Sequence, residues 1–302
     1  MSKSVRPLVI YHRGCWDGFC AAWVMRKVEP DAEFLPANYG EDPPPIQDIA
    51  GRRVYVVDFS YDRDTCETIA AAASKIVILD HHRTAEKALS GLPYARFDME
   101  KSGGRIAWEY VCDHYQIKHE HQITRKNPPW LVRYTEDRDL WRWALPRSEA
   151  VNAWLRTSPL DFKYWDEFEA FEHDRDVWGR IIDEGLAILR YQETIVAAKA
   201  EQAARITVPV PEGVTGWPTL WSVANATTLT SETAGRLAMT STIGCVWFEK
   251  ADGIRVYSLR SNKASDCDVS RVAEFFGGGG HRHAAGFTWK HAEGKHPWEV
   301  LR

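Results

Sequence analysis

One short apolar run, Ile76 to Leu79, is followed at once by Asp80-His81-His82, and this segment constrains the fold more than any other. A β-branched run of this length predicts a buried parallel strand. In an open α/β sheet, polar residues at the carboxyl ends of such strands gather at one edge, where ligands bind. The segment therefore predicts a parallel sheet with a polar site at its edge.

Three other predicted strands end in the same kinds of residue. A single Asp or His after a strand is usually a helix N-cap, and Asp80 could itself cap a helix that starts near Thr84. Four such ends together are harder to explain as caps, because carboxylates gathered at one edge repel each other unless cations neutralise them. The pattern therefore predicts a metal site. The three further runs are Leu8–Tyr11 followed by His12, Cys15 and Asp17, Val54–Val57 followed by Asp58, and Leu131–Tyr134 followed by Glu136, Asp137 and Asp139.

The rest of the pattern predicts an α/β fold in three parts. Strands alternate with helices through the first half, which indicates a parallel sheet with helices on both faces. The stretch from Trp178 to Ala204 has the apolar periodicity of one long helix. A Pro-interrupted segment then leads into a smaller, mixed α+β domain. The predicted parts are a metal-binding catalytic domain at 1–177, a linker helix at 178–205 and a substrate-binding domain at 206–302.

Composition limits the classes of function. A formal charge of −4 on 302 residues argues against a DNA-binding protein that relies on non-specific charge. The six cysteines contain no C-x-x-C pair, so reduced thiols in a cytoplasmic protein are expected rather than a disulfide framework or a zinc ribbon. No apolar stretch approaches the length of a membrane span, so no membrane partner is expected.

The donor types at the strand ends favour two divalent metal ions. Asp17, Asp58 and Asp137 offer carboxylate oxygens, and His12 and His81 offer imidazole nitrogens. This mixture favours Mn²⁺, and Mg²⁺, Co²⁺, Fe²⁺ or Zn²⁺ also fit. Two ions are expected because the donors outnumber what one ion with an open water position needs. A pair of ions roughly 3.5–4 Å apart stabilises both oxygens of a displacement at phosphorus, so the predicted chemistry is phosphoester hydrolysis.

Over nearly its whole length the chain resembles the DHH phosphoesterase family, which includes the nanoRNases and the phosphoadenosine-phosphate phosphatases. The family's motifs match four segments, which are His12-Arg13-Gly14-Cys15-Trp16-Asp17-Gly18, Asp58, Asp80-His81-His82 and Asp137-Arg138-Asp139.

The resemblance implies a role for each matching residue. His82 would face the phosphate during catalysis, and Asp80 would support the histidines. Asp58 would bridge the two metals. The other implied ligands are His12 for the first metal, and Asp17, His81 and Asp137 for the second.

Two positions leave alternatives open. Cys15 stands where many family members have Asp, and it is either a first-metal ligand that favours Zn²⁺ or Fe²⁺ or a buried structural thiol. The ligand role is slightly favoured. In the fourth motif both Asp137 and Asp139 fit. Asp137 is favoured because it is nearer to the predicted strand end, whereas Asp139 could cap a helix.

A second motif lies near the C-terminus, where four glycines precede His281-Arg282-His283. Consecutive glycines let the backbone approach a ligand and present N–H groups to an anion. The segment resembles the glycine-rich motif of the substrate-binding domain associated with DHH enzymes, and Arg260 resembles that domain's phosphate clamp. The active site would then lie in the cleft between the domains. The expected substrate-binding residues are Arg260, Gly278, Gly279, Gly280, His281 and Arg282.

A further run of small residues, Ser102-Gly103-Gly104, precedes a predicted helix. Helix N-termini bind phosphate, because their N–H groups have no partner within the helix. This run therefore indicates a phosphate contact, although such turns are common.

These features together predict a metal-dependent phosphoesterase that acts on short single-stranded oligonucleotides or small nucleotides. One alternative is an exopolyphosphatase or pyrophosphatase, which is disfavoured because inorganic substrates require many Lys and Arg and the glycine-rich segment has one Arg. Another alternative is a catalytically inactive nucleotide-binding protein, for which only Cys15 departs from the expected ligands. The sequence does not decide between a monomer and a homodimer.

Overall fold

The computed structural model describes residues 5–115, 124–291 and 293–301. The chain divides into two compact units, Met1–Leu189 and Arg190–Arg302. The division falls within a long helix, Arg175–Glu201, which matches the helix predicted over 178–204 to within a few residues. The catalytic, linker and substrate-binding boundaries at 177 and 205 stay a prediction.

Strands and helices alternate through the first part of the first unit, and the described residues after the fifth strand form only helices. The elements are β1 (Leu8–His12), α1 (Trp16–Arg26), β2 (Glu33–Ala37), α2 (Ile46–Ile49), β3 (Arg53–Val57), α3 (Arg63–Ala72), β4 (Lys75–Asp80), α4 (Arg83–Ala88), β5 (Ala95–Phe97), α5 (Gly103–His114), α6 (Trp130–Asp139), α7 (Ser148–Leu155), α8 (Phe162–Glu169), a 3₁₀ turn (Ala170–His173) and α9 (Arg175–Glu201).

The predicted α/β fold with a parallel sheet is confirmed. Five strands form one sheet in the order β2-β1-β3-β4-β5, and every neighbouring pair runs parallel. β2 lies on one side of β1, and β3, the next strand in the chain, lies on the other side of β1. The strand order reverses between β1 and β3, and in doubly wound sheets ligands bind at such a point.

Helices cover both faces of this sheet, as the near-continuous apolar strands require. Val9, Val57 and Leu79 point to a core shared with α1 and α5. Their neighbours Ile10, Val56 and Ile78 point to the opposite core, which holds the buried residues of α3. Alternate residues thus fill two cores, and burying each such side chain contributes about 1.5–3 kcal/mol.

The predicted strand at Leu131–Tyr134 is wrong, because this segment lies within helix α6. Pro129 is the N-cap of that helix, and the Trp130 indole donates a hydrogen bond to the Phe168 carbonyl oxygen (2.9 Å). Trp130, Leu131 and Tyr134 are buried at helical spacing, a period that cannot be seen in a run of four residues. The fourth set of polar residues therefore reaches the site from a helix.

The second unit contains a mixed sheet in the order β10-β11-β9-β8-β7-β6, in which only β7 and β8 pair in parallel among the described residues. Its elements are β6 (Ala204–Thr207), β7 (Leu220–Asn225), α10 (Thr230–Leu237), β8 (Ile243–Glu249), β9 (Arg255–Arg260), α11 (Val269–Phe275), β10 (Gly279–His281), β11 (Ala284–Trp289) and a 3₁₀ turn (Pro297–Glu299). The predicted α+β character and the hairpin at Asp252-Gly253 are confirmed, since β8 and β9 pair antiparallel across that turn.

None of the helices in the described part of the chain offers an apolar stretch that could cross a bilayer.

The packing of α9 on α7 yields a prediction about two glycines of the same helix. A Cβ atom at Gly185 would lie 2.0 Å from the carbonyl oxygen of Ala150, whereas a Cβ at Gly179 would meet nothing within 4 Å. We expect Gly185→Ala to lower the free energy of unfolding by about 1–3 kcal/mol, because the helices must move apart. We expect Gly179→Ala to raise it by about 0.4–1 kcal/mol, because alanine favours helix. Urea unfolding of both variants measures the difference, and equal stabilities would contradict the close helix contact.

Candidate metal centre

The ends of three neighbouring strands bring polar side chains to the switch point of the parallel sheet. His12 is the last residue of β1, Asp58 directly follows β3, and Asp80 ends β4 just before His81 and His82. Because β1, β3 and β4 are adjacent and parallel, these residues share one edge, as the sequence predicts.

Helix α1 adds Cys15 and Asp17 to the same edge. Gly14 turns the chain after β1 with a φ of +67°, and Cys15 is the N-cap of the helix. The first turn packs closely on the strand end, since a Cβ at Gly18 would lie 2.6 Å from the carbonyl oxygen of His12. Only glycine fits there, so the small residue at this position of the motif has a steric cause.

Asp58 lies at the centre of the cluster. It is about 1% exposed and has a φ of +52°, a left-handed conformation that Asp adopts more readily than most residues. Its Oδ1 is 3.1 Å from Nε2 of His81, and its Oδ2 is 3.7 Å from Nδ1 of His12. Neither oxygen accepts a well-formed hydrogen bond within the described residues. Such buried, unsatisfied carboxylate oxygens are costly unless a cation or a proton compensates them.

Two groups of donor atoms flank this carboxylate. In the first, His12, Cys15 and Asp58 each offer an atom within 4.8 Å of the others. In the second, Asp17, His81 and Asp139 do the same. The His81 Nε2 atom lies 3.7 Å from Asp17 Oδ2 and 3.6 Å from Asp139 Oδ2. Since one oxygen of Asp58 faces His12 and the other faces His81, a single carboxylate joins the two groups.

Asp17 is held in place by the N-terminus of α5. Gly103 N–H donates to its Oδ2 (2.5 Å), and Gly104 N–H donates to its Oδ1 (3.0 Å). The expected phosphate contact at Ser102-Gly103-Gly104 is therefore not met at these two N–H groups, because a carboxylate of the protein already occupies them. Both positions must be glycine, because a Cβ at Gly103 would lie 2.5 Å from Asp58 Cβ and one at Gly104 would lie 2.8 Å from a thiol sulfur.

Asp80 positions the two histidines that follow it. Its Oδ1 accepts the backbone N–H groups of His81 (2.7 Å) and His82 (3.2 Å), and it lies 2.7 Å from Nδ1 of the His82 ring. Its Oδ2 accepts a hydrogen bond from the hydroxyl of Ser60 (2.6 Å). Asp80 is fully buried and engaged at both oxygens, which suits a positioning role. No sequence motif pointed to Ser60.

Charges in the cluster shift its pKa values in opposite directions. Burial and the carboxylates of Asp58 and Asp139 raise the pKa of Asp17 well above its usual range. Burial acts in the same direction on Asp58, but contacts with His12 and His81 lower the pKa of Asp58 well below its usual range. Burial would lower the pKa of His81, yet Asp58 and Asp139 raise it. Without cations, the negative charge is thus compensated by protons on neighbouring groups.

The donor set fits divalent cations. Buried carboxylate oxygens without hydrogen bonds and imidazole nitrogens within 4 Å are the groups from which such sites are built. Cations would replace the protons as compensating charge, which removes the repulsion among Asp17, Asp58 and Asp139. The residues present therefore fit divalent metal binding, and Asp58 lies between the two donor groups.

Asp139, and not Asp137, lies in this cluster. The carboxylate of Asp137 accepts the backbone N–H groups of Ala144 (2.9 Å) and Leu145 (3.2 Å), and so it shapes the loop that follows α6. Asp139 Oδ2 is buried and accepts no well-formed hydrogen bond among the described residues. The preference for Asp137 as the ligand rested on the strand that proved to be a helix. The two aspartates are two residues apart in that helix, so their carboxylates point in different directions and have different surroundings.

Turns and close packing in the second unit explain several glycines of the glycine-rich motif. Gly277 has a φ of +78° and ends α11, where its N–H donates to Glu274 O (2.9 Å). The N–H of Gly278 donates to Ala273 O (2.8 Å), and the substrate-binding role expected of this glycine stays a prediction. A Cβ at Gly278 would lie 2.2 Å from the carbonyl oxygen of Gly286. Gly279 and Gly280 belong to β10, which pairs with β11.

The other predicted substrate-binding residues lie at the same end of this sheet. Arg260 ends β9 opposite Ala284, and its guanidinium donates to the hydroxyl of Ser231 (2.7 Å). His281 ends β10 and also pairs with Ala284. Arg282 is exposed, and it donates to the carbonyl oxygen of Asp266 (3.1 Å). The structure thus brings Arg260 near the end of the glycine motif, a juxtaposition that their sequence separation does not reveal.

Tyr39 is a site residue that the sequence reasoning missed. It follows β2, the neighbour of β1, and its ring centroid lies 5.5 Å from that of His12 and 5.9 Å from that of His82. The side chain is nevertheless 52% exposed. Its position two residues beyond a strand end was the available signal, but an aromatic residue there does not suggest a metal site.

No protein-family model matches this chain. It is 28% identical over 320 residues to the uncharacterized protein R106 of Acanthamoeba polyphaga mimivirus, and the alignment spans 99% of this chain and 71% of that protein.

Solved structures with a similar fold span most of this chain at low identity. An uncharacterized protein from Helicobacter pylori has a TM-score of 0.46 at 15% identity, with 94% of this chain and 93% of that chain covered. The pGpG-specific phosphodiesterase PggH of Vibrio cholerae has a TM-score of 0.45 at 12% identity, with 94% and 93% covered. RecJ of Thermus thermophilus in complex with Mn²⁺ has a TM-score of 0.49 at 13% identity, with 95% and 50% covered.

The different surroundings of Asp137 and Asp139 yield a prediction. We expect Asp139→Asn to weaken binding of Mn²⁺ with little change in the free energy of unfolding. We expect Asp137→Asn to lower that free energy by about 0.5–1.5 kcal/mol, because a side-chain NH₂ group replaces the oxygen that accepts one of the two partly buried N–H groups. Calorimetric titration with Mn²⁺ and urea unfolding separate the two effects. A stable Asp137→Asn protein that no longer binds Mn²⁺ would instead identify Asp137 as the ligand.

Proposed function

We propose that this protein is a metal-dependent phosphoesterase of the DHH kind, which hydrolyses phosphoester bonds in short oligonucleotides or small nucleotides. The observation that supports this most is the position of Asp58, which offers one buried oxygen to each of two donor groups at the switch point of the sheet. The proposed ligands are His12 at the first position, with Asp17, His81 and Asp139 at the second, and Asp58 at both. Two divalent ions held there, with Mn²⁺ favoured, would lower the pKa of water and would offset the negative charge that develops on the phosphate oxygens.

His82 is the proposed donor to the phosphate. Burial lowers its pKa, but the neighbouring Asp80 carboxylate outweighs burial and raises it. A protonated ring held through Nδ1 by Asp80 presents its second nitrogen as a donor, which suits a phosphate oxygen that gains charge during the reaction. Asp80 acts through this hydrogen bond as a positioning residue.

An exposed aromatic side chain beside the site histidines favours a substrate that carries bases. Tyr39 is half exposed and its ring contacts those of two site histidines. Trp141 and Trp143 follow Asp139 in the chain, their rings lie 5.1 Å apart, and the guanidinium of Arg138 lies over Trp141. Nucleobases stack on such rings, whereas inorganic polyphosphate gains nothing from them. In the second unit, Arg260, His281 and Arg282 are the donors we propose for phosphate.

The first test is hydrolysis of bis(4-nitrophenyl) phosphate with Mn²⁺. We expect Asp58→Asn to reduce the rate by more than the roughly 10–100-fold that loss of an outer-shell partner costs. Asparagine tolerates the left-handed backbone of Asp58, so the fold is retained. Asp183→Asn, an exposed carboxylate on α9, is the matched control and should keep the wild-type rate. A chelator should abolish the activity and added Mn²⁺ should restore it. Equal, measurable rates for wild type and Asp58→Asn would refute the proposed role of Asp58, and no hydrolysis by either protein would favour an inactive nucleotide-binding protein.

The second test distinguishes nucleotides from inorganic substrates. We expect Tyr39→Leu to raise the KM for a dinucleotide by roughly 5- to 150-fold, which corresponds to about 1–3 kcal/mol of stacking. The KM for an abasic dinucleotide with the same backbone should not change. Tyr191→Leu, on an exposed part of α9, is the control. Equal effects on both substrates would remove the base-stacking role, and preferred hydrolysis of polyphosphate would favour the inorganic alternative.

A further inference from the structure

The two donor groups of the metal centre differ in one atom type. The second group offers two carboxylates and an imidazole from Asp17, Asp139 and His81. The first group replaces one carboxylate by the sulfur of Cys15, which lies with His12 and Asp58 within 4.8 Å. Thiolate is a softer ligand than carboxylate, and softness is one of the properties by which proteins discriminate among divalent cations.

Helix capping does not explain a cysteine at this position. Cys15 is the N-cap of α1, where Ser, Thr, Asp or Asn usually accept hydrogen bonds from the first N–H groups of the helix. A thiol is a weak acceptor and a poor replacement for these oxygens. The residue before it, Gly14, adopts a φ of +67°, which gives the turn that carries Cys15 back toward the strand end.

Packing does not explain it either. A structural cysteine behaves as a small apolar residue and lies among apolar neighbours. The Cys15 sulfur instead lies within 4.8 Å of an imidazole nitrogen of His12 and a carboxylate oxygen of Asp58. Cys15 forms no disulfide. Both oxygens of the almost completely buried Asp58 lack well-formed hydrogen bonds among the described residues, and this is the independent sign that a cation belongs beside the thiol.

We propose that Cys15 is a ligand of the first position and makes the two positions unequal. With His12 and Asp58 it selects a borderline-soft cation, Zn²⁺, while Asp17, His81 and Asp139 form a harder position for Mn²⁺ or Mg²⁺. This inference rests on the proposed two-ion centre and specifies which ions it holds. The thiol loses its proton on binding, so zinc uptake releases one proton from Cys15.

The first experiment uses Co²⁺ as a spectroscopic substitute for Zn²⁺. The metal-depleted full-length protein is titrated with Co²⁺ in the absence of substrate. We expect a near-ultraviolet sulfur-to-cobalt charge-transfer band that is lost in Cys15→Asp and in Cys15→Ser. Cys112→Ala is the matched control, because this partly exposed thiol of α5 belongs to neither donor group, and it should keep the band.

The second experiment measures metal selection. The metal-depleted protein is incubated with Zn²⁺ and excess Mn²⁺, desalted and analysed for both metals. We expect comparable amounts of zinc and manganese in the wild-type protein. In Cys15→Asp we expect zinc to fall roughly tenfold or more relative to manganese, a change at least as large as that from losing an outer-shell partner. The aspartate variant restores a carboxylate at this position, so it should still bind two ions.

The outcomes separate this inference from the proposed function. A cobalt-loaded wild-type protein without the band, or a band that survives in both Cys15 variants, would overturn the role of Cys15. Because the wild-type spectrum needs no variant, a variant that fails to fold does not prevent this test. If the band appears and no phosphoester is hydrolysed, the proposed function fails and the metal assignment stands. If hydrolysis proceeds without the band, the reverse holds.

Discussion

The carboxylate of Asp58 is buried in left-handed backbone where the strand order of the parallel sheet reverses, with one oxygen toward His12 and the other toward His81. A carboxylate without hydrogen bonds in such a place destabilises the fold unless positive charge lies beside it. The groups around Asp58 can supply this positive charge. Imidazoles approach from β1 and from the segment after β4, and cations bound on either side would complete the compensation.

The close packing around Asp58 depends on residues without side chains. Gly18 lets α1 approach the end of β1, and Gly103 lets α5 pass directly over Asp58. The N-terminus of α5 is used to hold Asp17, whose charge it stabilises through two N–H groups and the helix dipole. A helix N-terminus that resembled a phosphate site therefore serves a protein carboxylate. Gly278 also has a structural explanation, because it packs closely on β11 and its N–H donates to the last turn of α11.

The cluster has two groups of donor atoms with unlike chemistry, and the carboxylate of Asp58 lies between them. Sulfur, nitrogen and oxygen are available on the side of Cys15 and His12, and only nitrogen and oxygen on the side of Asp17 and Asp139. Unequal positions can hold ions of different hardness. The His82 ring is oriented by Asp80, whose other carboxylate oxygen accepts a hydrogen bond from Ser60.

The sequence by itself determined the parallel sheet and most of the cluster, because each depends on local pattern. Apolar runs that end in His12, Asp58 or Asp80 indicate both a buried strand and the edge to which its polar residues belong. What only the tertiary structure decided were features that depend on distant segments. Asp139 rather than Asp137 enters the cluster because residues 130–139 form a helix, and the carboxylate of Asp137 binds the loop after it. Tertiary packing also decided which groups accept hydrogen bonds from the N–H groups of Gly103 and Gly278. The spacing of residues along the sequence does not reveal these contacts.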